Sequence, residues 1–544
     1  MKNINKYIFG LGMAAVATVS LSSCADETMP TSGATQEQVE ASSAAIEGAV
    51  NGIAAYFNNY SSTWADYGHC TFAYGAMMCI RDRQTADLAV AESNYDQWWR
   101  WEENRYQGDG YVYSQYIWNY YYGLVNTTNV AIGSTDIENA TDEQKGFLGA
   151  AYAFRALAYL DLARLYEYLP CTGTSNINAD GNDVLHLTVP IVTDKTTEAE
   201  CRNNPRATRE EMAEFILSDL DKAEACIPYL TDDANNSRPD LAVVYGLKAR
   251  CYMWLENYPK AEEYARKAID EFGGRPMTED ECLDPTVGFN DISKWMLGST
   301  LTSEDNLVQT GIINWVSHMS NQTTYGYASM DEGMPVCMID RAMYDRISDT
   351  DFRKYEFQAP AGSFIADKNR YIPGTEAACK KYLPDYTALK FRPAQGNIDA
   401  PTIGSATSYP LMRVEEMYFI EAEAAAHQEP ARGAQLVSDF MQTYRDPEYT
   451  CTATSKDDVV EEIVFQKRVE LWGEGLSFFD IKRLDLGITR GYPGTNFYDG
   501  TRFNTLGRPA WMNYCIVRTE SNNNEGVRGY NNPDPTDAVD EWSE

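Results

Sequence analysis

Residues 466–483 read QKRVELWGEGLSFFDIKR and end a helical run that opens at Asp457-Asp458. Along that run Val460, Val464, Arg468 and Leu471 recur at steps of three and four, one stripe of a helix. An arginine on an apolar stripe must meet a carboxylate, because an unpaired buried guanidinium is strongly destabilising. The preceding segment, YPLMRVEEMYFIEAEAAAH (409–427), sets Arg413, Glu416, Ile420 and Glu423 along one line and Glu421 on another. The spacing predicts neighbouring helices clasped by a buried Arg468–Glu423 ion pair. The same carboxylates would also suit a catalytic acid/base pair, but among 80 acidic residues that reading has little specificity.

These residues carry a resemblance. The run 466–483 resembles the C-terminal signature of the SusD/RagB family at Lys467, Arg468, Glu470, Leu471, Glu474, Gly475, Phe479, Asp480 and Arg483. Ser477 departs from it, standing where the family often has a basic or aromatic residue. RVEEMYFIEAEAAAH is similar to the family's preceding helix through Glu416, Tyr418, Glu423 and Ala424. FRALAYLDLARLYEYLP (154–170) and YIWNYYYGLVNTTNV (116–130), the latter through Trp118, Tyr122 and Asn129, also sit where the family has them. The resemblance implies a mainly α, SusD-like fold with tetratricopeptide-like helix pairs and a long, irregular, loop-rich ligand-binding region. It further implies a surface lipoprotein, not an enzyme. Such proteins bind glycans, or peptides in some branches, and pass them to a SusC-like, TonB-dependent barrel. The matching residues are scaffold, so the cargo stays open.

Elsewhere the pattern is helical. Thr141-x-x-Gln144 and Thr208-x-x-Glu211 are capping boxes. The first opens a helix with an apolar stripe at Phe147, Ala151, Phe154, Ala158, Leu162 and Leu165; the second leads to Met212, Ile216, Leu220, Ala223 and Ile227. Residues 240–271 predict a helix pair with a turn at Tyr258-Pro259 and resemble a tetratricopeptide repeat, except that Lys248 replaces a large apolar residue. Residues 272–408 are rich in Gly, Pro, Asn, Ser and aromatics without sustained periodicity, and loops of that length are usually functional. Helices are expected again at 409–427, 433–445 and 456–475, with a polar, poorly ordered tail from Ser521.

The chain opens MKNINKY, followed by an apolar run to Leu21 and then Leu21-Ser22-Ser23-Cys24. That run is too short to span a bilayer and long enough for a secretory signal. The four residues resemble a lipobox, with Cys24 the acylated cysteine; two acyl chains suffice for stable anchoring. Ala25-Asp26-Glu27 resembles a surface-export signal of Bacteroidetes lipoproteins. The expected organisation is a signal peptide at 1–23, a lipidated tether at 24–38 and a single SusD-like helical domain at 39–544. This places the protein on the outer membrane, facing outward.

A net charge of −35 repels phosphate backbones, so nucleic acid is excluded as a partner. Twelve cysteines less Cys24 leave an odd, scattered set, so at least one stays unpaired. With four histidines and no second ligand pair near His69, Cys70 and Cys79, neither a metal nor another cofactor is expected beyond the lipid.

The sharpest ligand candidate is NYDQWWRWEENR (94–105). Trp98 and Trp101 share a face on a helix, Trp99 and Trp101 on a strand, yet neither pattern extends into an apolar stripe. A sugar site needs flat apolar faces for ring C–H groups and amide, carboxylate and guanidinium groups for hydroxyls. This stretch supplies all of them, though partly buried packing and contact with the transporter also fit. Trp295, Trp315, Tyr325 and Tyr327 are further candidates, each singly more suited to packing. The rival functions are a surface glycoside hydrolase on a helical scaffold and a scaffold that binds only proteins.

Overall fold

The computed structural model describes residues 43–61, 70–92, 107–231 and 235–543. In chain order the elements that build the frame are α1 (Ser43–Tyr56), α2 (Ala73–Arg83), β1 (Leu88–Val90), α3 (Val112–Gly133), α4 (Asp142–Tyr166), α5 (Arg209–Cys226), α6 (Leu241–Trp254) and α7 (Tyr258–Phe272). Then come β2 (Leu297–Thr300), β3 (Cys337–Ile339), β4 (Ser408–Met412), α8 (Val414–Gln428), α9 (Pro430–Tyr444), α10 (Lys456–Glu470) and α11 (Ser477–Arg483). Each helix from α3 to α9 packs on the next, and α10 closes against both α8 and α9. The fold is mainly α, as the sequence predicts.

Both capping boxes form. Thr141 and Gln144 satisfy each other's backbone N–H groups at 3.2 and 2.9 Å, and Thr208 pairs with Glu211 in the same way. α4 buries more than its apolar stripe, because α1, α3, α5 and α6 surround it. Its polar residues are therefore paired: Arg155 forks onto Asp219 at 2.7 and 3.0 Å. In the α6–α7 pair Ala249, Ala261, Ala265 and Ala268 are fully buried, letting the helices approach, and Tyr252 stacks on Tyr264 at 5.5 Å. Lys248 keeps this divergent repeat intact by reaching Asp221 and Glu224 on α5. The turn lies one step earlier than expected. Asn257 caps α7, and Pro259 occupies its first turn, where a missing N–H costs nothing.

Two expected helix bounds are wrong for identifiable reasons. Residues 408–412 form β4, because a residue ahead of Pro410 is pushed out of helical conformation; β4 pairs antiparallel with β2. α10 stops at Glu470 rather than 475, since Gly473 and Gly475 take φ values of +80° and +70°. A Cβ on Gly473 would lie 2.4 Å from the Phe391 ring, and one on Gly475 2.7 Å from Met78 Cα. The tail after Ser521 is docked, not loose: Asn532 donates to the Tyr166 and Tyr514 carbonyls at 2.8 Å each. Among the described residues no two cysteines are joined in a disulfide.

Beneath α8 and α10 lies a fully buried charge network. Glu470 accepts from Arg445 at 2.7 and 2.9 Å and Arg413 at 3.0 Å, with Arg353 at 3.4 Å. Glu474 accepts from Arg413 at 2.8 and 2.9 Å and from Lys390 at 2.9 Å. Beside them burial pushes the Glu356 carboxyl up to about 7; Lys390 opposes that rise and Glu470 adds to it. A raised carboxyl binds its proton more tightly folded than unfolded. Its contribution to stability is complete below the ordinary value of 4.5 and is lost as pH rises through about 7. Glu356→Gln should therefore remove a loss of about 3 kcal/mol between pH 5 and 8. Urea denaturation of both proteins across that range checks it; parallel pH profiles would refute the assignment.

Candidate functional site

The signature residues hold one segment, 81–90, which carries β1. Arg468 does not meet Glu423. Its Nε lies 3.0 Å from Asp87 Oδ1, and its Nη2 reaches the same carboxylate. Burial works against the Arg468 charge, and Asp87 outweighs it, raising the guanidinium further above its ordinary value. Glu423 is taken instead by Arg483 of α11 at 2.5 Å. The predicted clasp fails because Arg468, at the C-terminal end of the stripe, meets the α2–β1 connection, while Arg483 of α11 reaches back to α8.

The rest of the segment is held similarly. Trp472 Nε1 donates to the Asp87 carbonyl at 2.8 Å, and Gly475 N donates to Asp82 at 2.9 Å. Arg81 Nε returns to the Gly475 carbonyl at 2.8 Å. Arg490 donates to the Thr85 and Arg83 carbonyls at 2.8 and 2.7 Å, and Trp511 Nε1 to the Gln84 carbonyl at 3.0 Å. Asp82 and Asp87 were missed in the sequence. The signal was their place in RDRQTAD (81–87), where charges crowd an otherwise apolar stretch.

From this clamp β1 pairs antiparallel with β3, Leu88 opposite Ile339, and Ala91 N donates to the Val336 carbonyl at 3.0 Å. The strand thus runs into the irregular region, and the described chain stops at Glu92 and resumes at Gln107. Trp98, Trp99 and Trp101 belong to the interval between and lie outside the described residues, as does Cys24.

The other aromatic candidates divide. Trp295 is 0 % exposed and Trp315 1 %. They belong to one aromatic cluster, Trp295–Phe289–Phe391–Trp315, with successive ring centroids at 5.5, 5.5 and 4.6 Å. Neither presents a face to a ligand; both are core, a correction to the expected site. Tyr327 is likewise buried, stacked at 4.8 Å on His318, which stacks at 4.8 Å on Phe72. Tyr325 is half-buried, packed against Gly404. The irregular region thus packs its aromatics into the main core, Phe391 stacking on Trp472, beside the β2–β4 and β1–β3 pairs. Phe364 stands 87 % exposed beyond Gly362. Among the described residues no group of three or more His, Cys, Asp or Glu could hold a metal ion, and no helix is long and apolar enough to cross a membrane.

The frame and clamp define a mainly α-helical protein whose C-terminal signature helps secure the segment that carries β1. Two family models match it. One, described as starch-binding associating with outer membrane, covers residues 71–253; the other, the SusD family, covers 377–543. The chain belongs to the SusD/RagB family. It is 26 % identical to SusD-like protein P38 of Formosa agariphila over 68 % of this chain and 72 % of that one. With SusD-like protein P2 of the same organism the identity is 23 % over 87 % and 90 %. The fold matches a SusD-like carbohydrate binding protein from Bacteroides vulgatus with a TM-score of 0.68, at 23 % identity, covering 89 % of this chain and 97 % of that one. A SusD superfamily protein from Bacteroides thetaiotaomicron matches with a TM-score of 0.65 at 19 % identity, covering 90 % and 100 %.

Proposed function

We propose that the protein is a cell-surface, glycan-binding lipoprotein. It is anchored in the outer membrane through Cys24, captures oligosaccharides and delivers them to a SusC-like, TonB-dependent transporter. The observation that carries the reading is the 81–90 clamp. Its polar groups are held from the C-terminal signature, and that rigidity is spent on the point where the chain runs toward NYDQWWRWEENR. Rigid support for a tryptophan-rich segment suits ring stacking on sugars. The printed descriptions of the family and of the B. vulgatus relative agree with carbohydrate as cargo. No catalysis is assigned; Glu416, Glu421 and Glu423 of α8 and Glu470 of α10 are engaged in ion pairs.

The test is calorimetric titration of residues 25–544 against a panel of poly- and oligosaccharides, each mixture then analysed for cleavage products. Saturable binding without cleavage is expected. Cleavage would replace this reading with a glycoside hydrolase, and silence across the panel would point to peptides or a protein-only partner.

A further inference from the structure

A small cleft, with an interior volume of about 40 Å³, lies where α4, α5, α6, α8, α10 and α11 meet. Arg164, Arg209, Arg250, Lys467, Lys482 and Arg483 line it, against the carboxylates of Glu167, Glu256, Glu416 and Asp480. The lining itself sets six cationic against four anionic side chains in a chain of net charge −35, with Asp161 and Glu423 paired to Arg164 and Arg483 behind it.

Most of the carboxylates are already engaged. Glu416 gives both oxygens to Arg250 at 2.7 and 2.5 Å. Asp480 serves Lys467 at 2.8 Å and Arg483 at 3.1 Å. Glu167 meets His186 Nδ1 at 2.8 Å and Trp254 Nε1 at 2.6 Å, while Glu256 sits exposed at the rim.

The cations keep donors in hand. The Arg483 side chain is 7 % exposed, and its Nη1 has no acceptor in hydrogen-bond geometry. Lys482 Nζ donates to the carbonyls of Leu165 and Glu167 at 2.9 and 2.8 Å, leaving its third hydrogen. Arg164 uses Nε and Nη2; Arg209 uses Nη2, and its Nε lies 3.7 Å from Glu167 Oε1. Two rings brace these planes: Phe479 lies 3.6 Å from the Arg164 guanidinium and Trp254 5.6 Å from that of Arg209. Burial holds the Lys482 ammonium well below its ordinary value; Glu167 opposes that depression, and Arg508 and Arg206 add to it.

We propose that this cleft binds a compact oxyanion: a carboxylate, sulfate or phosphate group. Guanidinium and ammonium donors converging from α4, α5 and α11 match its several acceptor oxygens, and charge-assisted bonds in a partly dry cleft are the strong ones. None of the lining residues belongs to 93–106, so the site stands or falls apart from the glycan reading. The anion has two sources, a free inorganic ion or the acidic substituent of a saccharide.

Thermal unfolding of the protein would be followed while sodium sulfate, sodium phosphate, sodium glucuronate or neutral glucose is titrated in, ionic strength being held constant with chloride. A saturable rise in midpoint is expected with at least one anion and none with glucose. Sulfate or phosphate acting alone identifies a free ion; glucuronate acting alone identifies a saccharide substituent. Arg209→Gln should weaken the response at least tenfold, while Arg202→Gln, on the exposed neighbouring turn, leaves it unchanged. A crystal soaked in selenate supplies a readout that needs no variant: an anomalous peak within hydrogen-bond reach of Arg483 or Lys482 is expected. A midpoint unmoved by all three anions, or an empty cleft at saturating selenate where sulfate had raised the midpoint, overturns the proposal.

Discussion

Glu470→Ala is expected to lower the unfolding free energy by about 3–5 kcal/mol, the cost of removing one member of a buried ion network. The carboxylate is 4 % exposed, and its three guanidinium partners are no more than 2 % exposed. Its loss removes the acceptor that Arg445 Nε and Nη2 share and weakens the hold on Arg413 and Arg353. Burial alone would raise the Glu470 carboxyl; Arg445 and Arg413 outweigh burial and hold it well below the ordinary value of 4.5. The sign of its linkage is opposite to that of Glu356. Its stabilisation is complete above the ordinary carboxylate range and is lost as pH falls toward the depressed value. The two buried glutamates therefore pull stability down from opposite sides of mildly acidic pH. Urea denaturation at pH 7 measures the main effect, and Glu470→Gln, which keeps an acceptor without the charge, should fall between. A change below about 1 kcal/mol would mean that the network is not what holds α8, α9 and α10 together.

That network also marks the limit of what could be read along the chain. The capping boxes at Thr141 and Thr208 were legible because both partners lie within one helical turn. The alanine and tyrosine spacing of 240–271 was legible because each helix of the pair presents its partner with a local period. Arg468 announced that it needed a carboxylate, but Asp87 is 381 residues away, and no periodicity reports which element covers a stripe. Glu423 was the nearest acid on a plausible helix, and proximity in sequence was the wrong criterion. Trp295 and Trp315 misled for a related reason. An irregular segment without an apolar stripe can still bury its rings when Phe289 and Phe391 bridge them. The tail looked solvated because it is polar, yet its Asn532 amide donates to the backbone carbonyls of Tyr166 and Tyr514 and docks it.

Replacing Trp98, Trp99 and Trp101 together by alanine is expected to weaken glycan binding at least about 100-fold, roughly 2.7 kcal/mol, while leaving the urea midpoint close to that of the parent protein. The argument for separable effects comes from the clamp. Among the described residues, Arg468, Trp472, Gly475, Arg490 and Trp511 hydrogen-bond to residues 81–90. The three substitutions remove flat apolar faces and leave every one of these clamp residues in the chain. Trp295→Ala supplies the converse. It opens a cavity beside Phe289 in a fully buried cluster and should cost about 3–5 kcal/mol of stability. In the fraction that folds, glycan affinity should be intact. If the triple variant instead loses stability on the scale of Trp295→Ala, those rings are packing residues and the ligand platform must be sought elsewhere on the loop-rich region. If it keeps both stability and affinity, the segment serves the transporter rather than the cargo.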